Sequence, residues 1–140
     1  MVDTSINSRS RSWKALSITL WVVQVLLALI FLAHGLMMLF PPAELAEIMN
    51  EQLGIPLRMF IGIAEIAAVA GLIGPGLTRL LPWGTLLTAI CLTVLMILAM
   101  STHLSRGEYS SALTCLIIGC MTSFLAYARW KLLPIRGRGQ

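Results

Sequence analysis

Four apolar stretches separated by proline- and glycine-containing breaks constrain this chain more than any other feature. Pro41-Pro42, Gly54-Ile55-Pro56, Gly74-Pro75-Gly76, Pro82 and Ser105-Arg106-Gly107 each interrupt a helix or favour its first turn. Between them lie Leu16 to Phe40, Leu57 to Ile73, Trp83 to His103 and Ser111 to Arg129. Each has about the 17 to 25 residues that carry a helix across the hydrocarbon core of a bilayer. A helix satisfies its own backbone there, so the expectation is an all-α integral membrane four-helix bundle.

The 140 residues make one domain, and 58% hydrophobic with only 11% charged content excludes a soluble globule. The division expected is a tail over 1–14, a transmembrane domain over 15–130 and a basic tail over 131–140. At 26 residues, Ala15 to Phe40 exceeds the apolar region of a cleaved signal peptide and reads as a retained first helix. Lysine and arginine are distributed unevenly. Arg9, Arg11 and Lys14 precede the first helix, Arg79 lies between the second and third, and Arg129, Lys131, Arg136 and Arg138 end the chain. Only Arg58 and Arg106 fall on the opposite side, which predicts cytoplasmic N- and C-termini in the cell (inner) membrane. Terminal clusters of this kind are topology signals, so no nucleic-acid partner is expected.

The connection Pro41 to Pro56 interleaves Glu44, Glu47 and Glu51 with Leu45, Ile48, Met49 and Leu53 at helical spacing. It reads either as a short amphipathic segment between helices 1 and 2 on the membrane surface, or as a solvated loop with helical propensity. Cys91, Cys115 and Cys120 have no CxxC spacing, which argues against a thiol–disulfide enzyme and a metal site. Trp13, Trp21, Trp83 and Trp130 fall near the expected interfaces as an aromatic belt.

Within the apolar spans, Glu65 is the outstanding residue, because an intramembrane acid is expensive and marks a site by default. With the termini inside, His34 lies in the outer third of the first helix and Arg58 at the outer mouth of the second, with Glu65 about 10 Å below that mouth. His103 closes the third helix, and Arg106 and Glu108 occupy the following turn. Six ionisable residues therefore share the outer half, whereas the cytoplasmic half is expected to carry only terminal anchors. The expectation is a common pocket of His34, Glu65 and His103 as catalytic candidates, with Gln24, Arg58, Gly62, Arg106 and Glu108 as candidate ligand contacts. Arg58 or a histidine would neighbour Glu65, while Gln24 would add a hydrogen bond below the cluster. Arg106 and Glu108 have a plainer reading as a surface ion pair. The small residues Gly62, Ala64, Ala67, Ala68, Ala70, Gly71 and Gly74 permit close helix approach.

Arg58, Gly62, Glu65, Gly71-Leu72-Ile73, Pro75-Gly76, His103-Leu104-Ser105-Arg106-Gly107-Glu108 and Tyr127-Ala128-Arg129-Trp130 together resemble the DoxX-like family of small four-helix membrane proteins. The end of the first helix, His34-Gly35-Leu36-Met37-Met38-Leu39-Phe40, is similar too, so the resemblance runs from about Trp21 to Trp130. Family members often carry a lysine where Met38 stands, and a lysine-dependent role does not carry over. The resemblance implies a bundle of the kind that binds quinones or sterols. Relatives include subunits of quinone-linked oxidoreductases and proteins of redox homeostasis or receptor assembly.

Three functions compete at this point. The leading one is binding of a lipid-soluble molecule, with a quinone as the candidate, in the outer half of the bundle. The protein would then be a subunit or accessory of a membrane redox system. No iron–sulfur, haem or dinucleotide motif is present, so no cofactor is evident and electrons would come from a partner. The second is a stand-alone membrane enzyme using Glu65 as acid/base on an apolar substrate. The third is a noncatalytic assembly protein packing small-residue faces against a membrane partner or a second copy of itself.

Overall fold

The computed structural model describes residues 3–135 and 137, with side chains from Trp13 onward. It contains α1 (Asp3–Leu39), α2 (Ala43–Leu53), α3 (Ile55–Thr78), α4 (Gly84–Ser105) and α5 (Tyr109–Tyr127), and α5 runs into a π-helical turn, Ala128–Leu132. α1 packs along α3 and α4 along α5, while α3–α4 and α1–α5 contacts close the ring. The result is an up-down-up-down bundle. α2 and the α4–α5 turn lie at one end, called here the α2 end. The segments bearing the chain termini lie at the other, the terminal end, with the α3–α4 turn.

Trp13–Leu39, Ile55–Thr78, Gly84–Ser105 and Tyr109–Leu132 are long and apolar enough to span a membrane, yet only 22–28% of their most apolar windows is buried. Leu29, Phe60, Ile63, Val94, Leu98, Leu113 and Ile117 all point outward. Apolar surface on that scale belongs in lipid, and the protein is a multi-pass membrane protein.

On α1 the inward positions Leu20, Gln24, Leu27, Phe31, Gly35 and Met38 recur at three- and four-residue spacing, which keeps them on one helical face. Leu20, Leu27, Ala28 and Phe31 meet Leu72, Ala89, Leu92, Met96, Leu125 and Ala128 in the core, which occupies the middle and the terminal half.

The boundaries follow the breaks with two differences. Gly54, at φ 74°, separates α2 from α3, and Pro56 sits in the first turn of α3, where its missing N–H costs nothing. Pro75, expected to stop its helix, lies inside α3, which continues for three residues to Thr78 and is capped by Arg79 in the left-handed region at φ 57°. Proline removes only one helical bond there, and near a helix end little remains to be broken. The tail expected over 1–14 is helical from Asp3. Arg136 and Arg138 lie outside the described residues, as do the side chains of Arg9 and Arg11. The Pro41–Pro56 connection is a helix, α2, with no buried residue.

Candidate functional site

Glu65 faces inward on α3 and is 1% exposed. Its partner is His34 of α1, with Nδ1 2.7 Å from Oε2. The exposures differ sharply, since the His34 side chain remains 42% exposed. The carboxylate is therefore sealed between helices while the imidazole reaches the periphery of the bundle. Among the described residues, Nε2 of His34 has no hydrogen-bond partner.

The seal comes from glycine. A Cβ added to Gly35 would stand 3.1 Å from the Gly62 carbonyl oxygen and 3.2 Å from Glu65 Cβ. At Gly62 it would stand 2.8 Å from Leu39 Cγ and 3.0 Å from the Gly35 carbonyl oxygen. The two backbones touch where the acid enters, as small residues allow in helix pairs. Gly62 thus serves the packing of α1 on α3.

With Glu65 ionised, its oxygen accepts and Nδ1 carries the proton. Nε2 of the neutral ring then accepts a hydrogen bond from a hydroxyl, and Nε2–H of the protonated ring donates to a carbonyl. A carboxylate behind an imidazole fixes the ring's tautomer and orientation in this way.

The other expected site residues are arranged differently. Arg58 does not neutralise Glu65: it donates from Nη1 to the Met38 carbonyl and from Nε to Asn50 Oδ1 at 2.9 Å. Its cation covers the carbonyl end of α1, which the helix dipole favours, and ties α2 to the bundle. His103 makes no hydrogen bond to His34 or Glu65; its Nδ1 lies 2.5 Å from Glu108 Oε2 instead. A five-residue separation across a tight turn makes that local pairing the easier one. Arg106 and Glu108 do not form the surface pair expected of them. Arg106 donates instead to the Gln52 carbonyl at 2.8 Å and to Gln52 Oε1 at 3.3 Å, clamping the end of α2.

Gln24 departs furthest from expectation. Its Nε2 donates to the Leu72 carbonyl, and its Oε1 accepts from Arg129 Nε at 3.1 Å and Nη2 at 2.9 Å. The Leu72 carbonyl also accepts from Thr85 Oγ1 at 3.2 Å. Arg129, expected to be a terminal anchor, is 8% exposed and stacks over Trp21 at 5.9 Å. The terminal half therefore has a polar cluster of its own. A signal for it was present: Arg129 falls four residues after Leu125 and seven after Thr122, on the inward face of α5.

A family model described as the DoxX-like family matches residues 22–125. The chain belongs to the DoxX-like family. No curated protein and no solved structure matches it. The matched region of this DoxX-like protein contains Gln24, His34, Arg58, Gly62, Glu65, His103, Arg106 and Glu108, while Trp21 and Arg129 lie just beyond it. Among the described residues, no cluster of three or more histidine, cysteine or acidic side chains suits a metal ion.

Proposed function

We propose that this DoxX-like protein binds a lipid-soluble molecule at the exposed edge of His34, with Glu65 holding the imidazole, as a subunit or accessory of a membrane redox system. A quinone is the ligand class that suits the site best. The observation that carries this reading is the pairing of a buried carboxylate with a half-exposed histidine at 2.7 Å. Nε2 serves a hydroxyl in one protonation state and a carbonyl in the other. Quinol and quinone present those two groups from one hydrophobic body. The protein would sit in the cell membrane with both termini cytoplasmic, and electrons would be supplied by a partner.

The test is lipid extraction and mass spectrometry of the purified chain, followed by titration with a short-chain quinone. The expected result is a co-purifying or added quinone whose affinity falls about tenfold in His34→Ala, the scale of one lost charge-assisted hydrogen bond. Absence of both co-purification and binding overturns the proposal. The contact of Gly35 with Gly62 supports a second reading, in which the polar pair merely locks α1 to α3 in an assembly protein. That reading expects His34→Ala to lower stability without touching any ligand.

A further inference from the structure

At the terminal end a cleft of about 500 Å³ opens between Trp21, Gly76, Arg79, Arg129, Leu133 and Pro134. Two arginines from different helices line it. Arg79 is exposed at the left-handed cap of α3, and Arg129 is buried at the end of α5. Arg129 makes one bond from Nε and one from each terminal nitrogen, the last to the Leu133 carbonyl at 3.4 Å. A guanidinium has five N–H donors, so two remain unspent on the described residues. Its partners are neutral throughout. Among the described residues no carboxylate lies within ion-pair distance of Arg129 or Arg79. All five glutamates are in α2, in the pair with His34 or at the α4–α5 turn, and Asp3 has no described side chain.

A buried guanidinium with no counter-anion is expensive, and a phosphate matches its fork bidentately. Two backbone features help form the cleft. Arg129 sits in the π-helical turn Ala128–Leu132, closed by Leu133 N–H to the Ala128 carbonyl at 2.8 Å; such turns occur often at functional sites. Gly76 lets Trp21 lie against α3, since a Cβ there would stand 2.8 Å from the indole. The indole in turn stacks on Arg129. Trp130 and Lys131, at 4.1 Å from each other, stand just outside the cleft in the manner of an interfacial belt.

We infer that this cleft is a binding site for a phosphate-bearing anion, held between Arg79 and Arg129. Basic pockets between transmembrane helices take phospholipid headgroups in this way, and a free phosphate offers the same oxygens. The site is separate from the His34–Glu65 pair and stands whether or not that pair binds a quinone.

The experiment is native mass spectrometry of the full chain released from detergent. It is titrated in separate arms with phosphatidylglycerol, phosphatidylcholine and inorganic phosphate. One equivalent of phosphatidylglycerol should be retained in preference to phosphatidylcholine. Arg79→Gln should weaken it about fivefold, the effect of one interfacial charge. Arg129→Gln should weaken it about tenfold or more, provided its helical circular dichroism is intact. Lys131→Gln removes the same charge outside the cleft and should change affinity less than about twofold. Retention of inorganic phosphate with the same dependence on Arg79 assigns the site to a free anion instead of a lipid headgroup, and supports the inference equally. The inference is overturned if neither anion is retained above phosphatidylcholine, or if Lys131→Gln weakens binding as much as Arg79→Gln does.

Discussion

Glu65 Oε2 and His34 Nδ1 stand 2.7 Å apart, and the pair bridges α1 and α3 where Gly35 and Gly62 let the two backbones meet. Position and protection are thus supplied by the same contact. An acid deep in a membrane helix is costly unless it is paired, and here its partner comes from the neighbouring helix instead of from the arginine two turns away on its own.

A double-mutant cycle should therefore find coupling between positions 34 and 65. Glu65→Gln keeps the side-chain size and leaves a neutral hydrogen bond, and His34→Ala removes the partner. The expected coupling is about 1–3 kcal/mol, measured by reversible unfolding in mixed micelles. Additive losses would mean that the two side chains do not act as a unit.

The glycines of α3 should respond unequally to substitution. Gly62→Ala drives a methyl into Leu39 and the Gly35 carbonyl and should cost about 1–3 kcal/mol. Nothing lies within 4 Å of a Cβ at Gly74, so Gly74→Ala should be neutral or add about 0.5–1 kcal/mol through helix propensity. Thermal melts of the two variants side by side check the ordering. Gly71 belongs with Gly62, because its Cβ would collide with Thr88 of α4. That glycine serves contact between α3 and α4.

Arg58→Gln should loosen α2 more than it loosens the bundle. It breaks the bonds to Met38 and Asn50, of which only the second reaches α2. Arg106→Gln should act likewise through Gln52. Faster amide exchange over Ala43–Leu53, with slow exchange retained in α1 and α3, is the expected pattern.

The spans were legible because hydropathy and Pro/Gly breaks are local signals, and lipid demands the same of each helix. Glu65 and His34 were legible as candidates because polar residues stand out against an apolar run, and the structure pairs them. Which of them would touch was not. Arg58 and His34 were both within reach of the acid by sequence spacing, and only the position of Met38 at the α1 end shows where the guanidinium goes. His103 illustrates the same limit: depth along a helix was readable, but Glu108 is closer in the folded turn. The Gln24–Arg129 cluster was hidden for a different reason. Arginine at the end of a span is ordinarily an anchor, and its inward direction depends on the helical phase shared with Thr122 and Leu125.

Orientation can be checked directly. The excess of lysine and arginine in the terminal segments and the α3–α4 turn predicts cytoplasmic termini. A C-terminal fluorescent-protein fusion should glow, and an alkaline phosphatase fusion at the same place should be inactive. The opposite pair of results would put the His34–Glu65 pair nearer the cytoplasmic surface and the arginine cleft on the outside.

Removing Gln24 tests how firmly the terminal half depends on a neutral partner for its buried cation. Gln24→Leu deletes the oxygen that accepts from two nitrogens of Arg129, and it also frees the Leu72 carbonyl, which keeps Thr85. The expected loss is about 2–3 kcal/mol, the range of a hydrogen bond to a charged group left unmade in a poorly solvated place. Adding Arg129→Met to Gln24→Leu removes the stranded cation and should recover much of that loss, since an apolar replacement of a buried polar pair is often close to neutral. Denaturation of the single and double variants gives the answer. A double variant as unstable as the sum of the two singles would mean that Arg129 is held by Trp21 and Leu133, with Gln24 incidental.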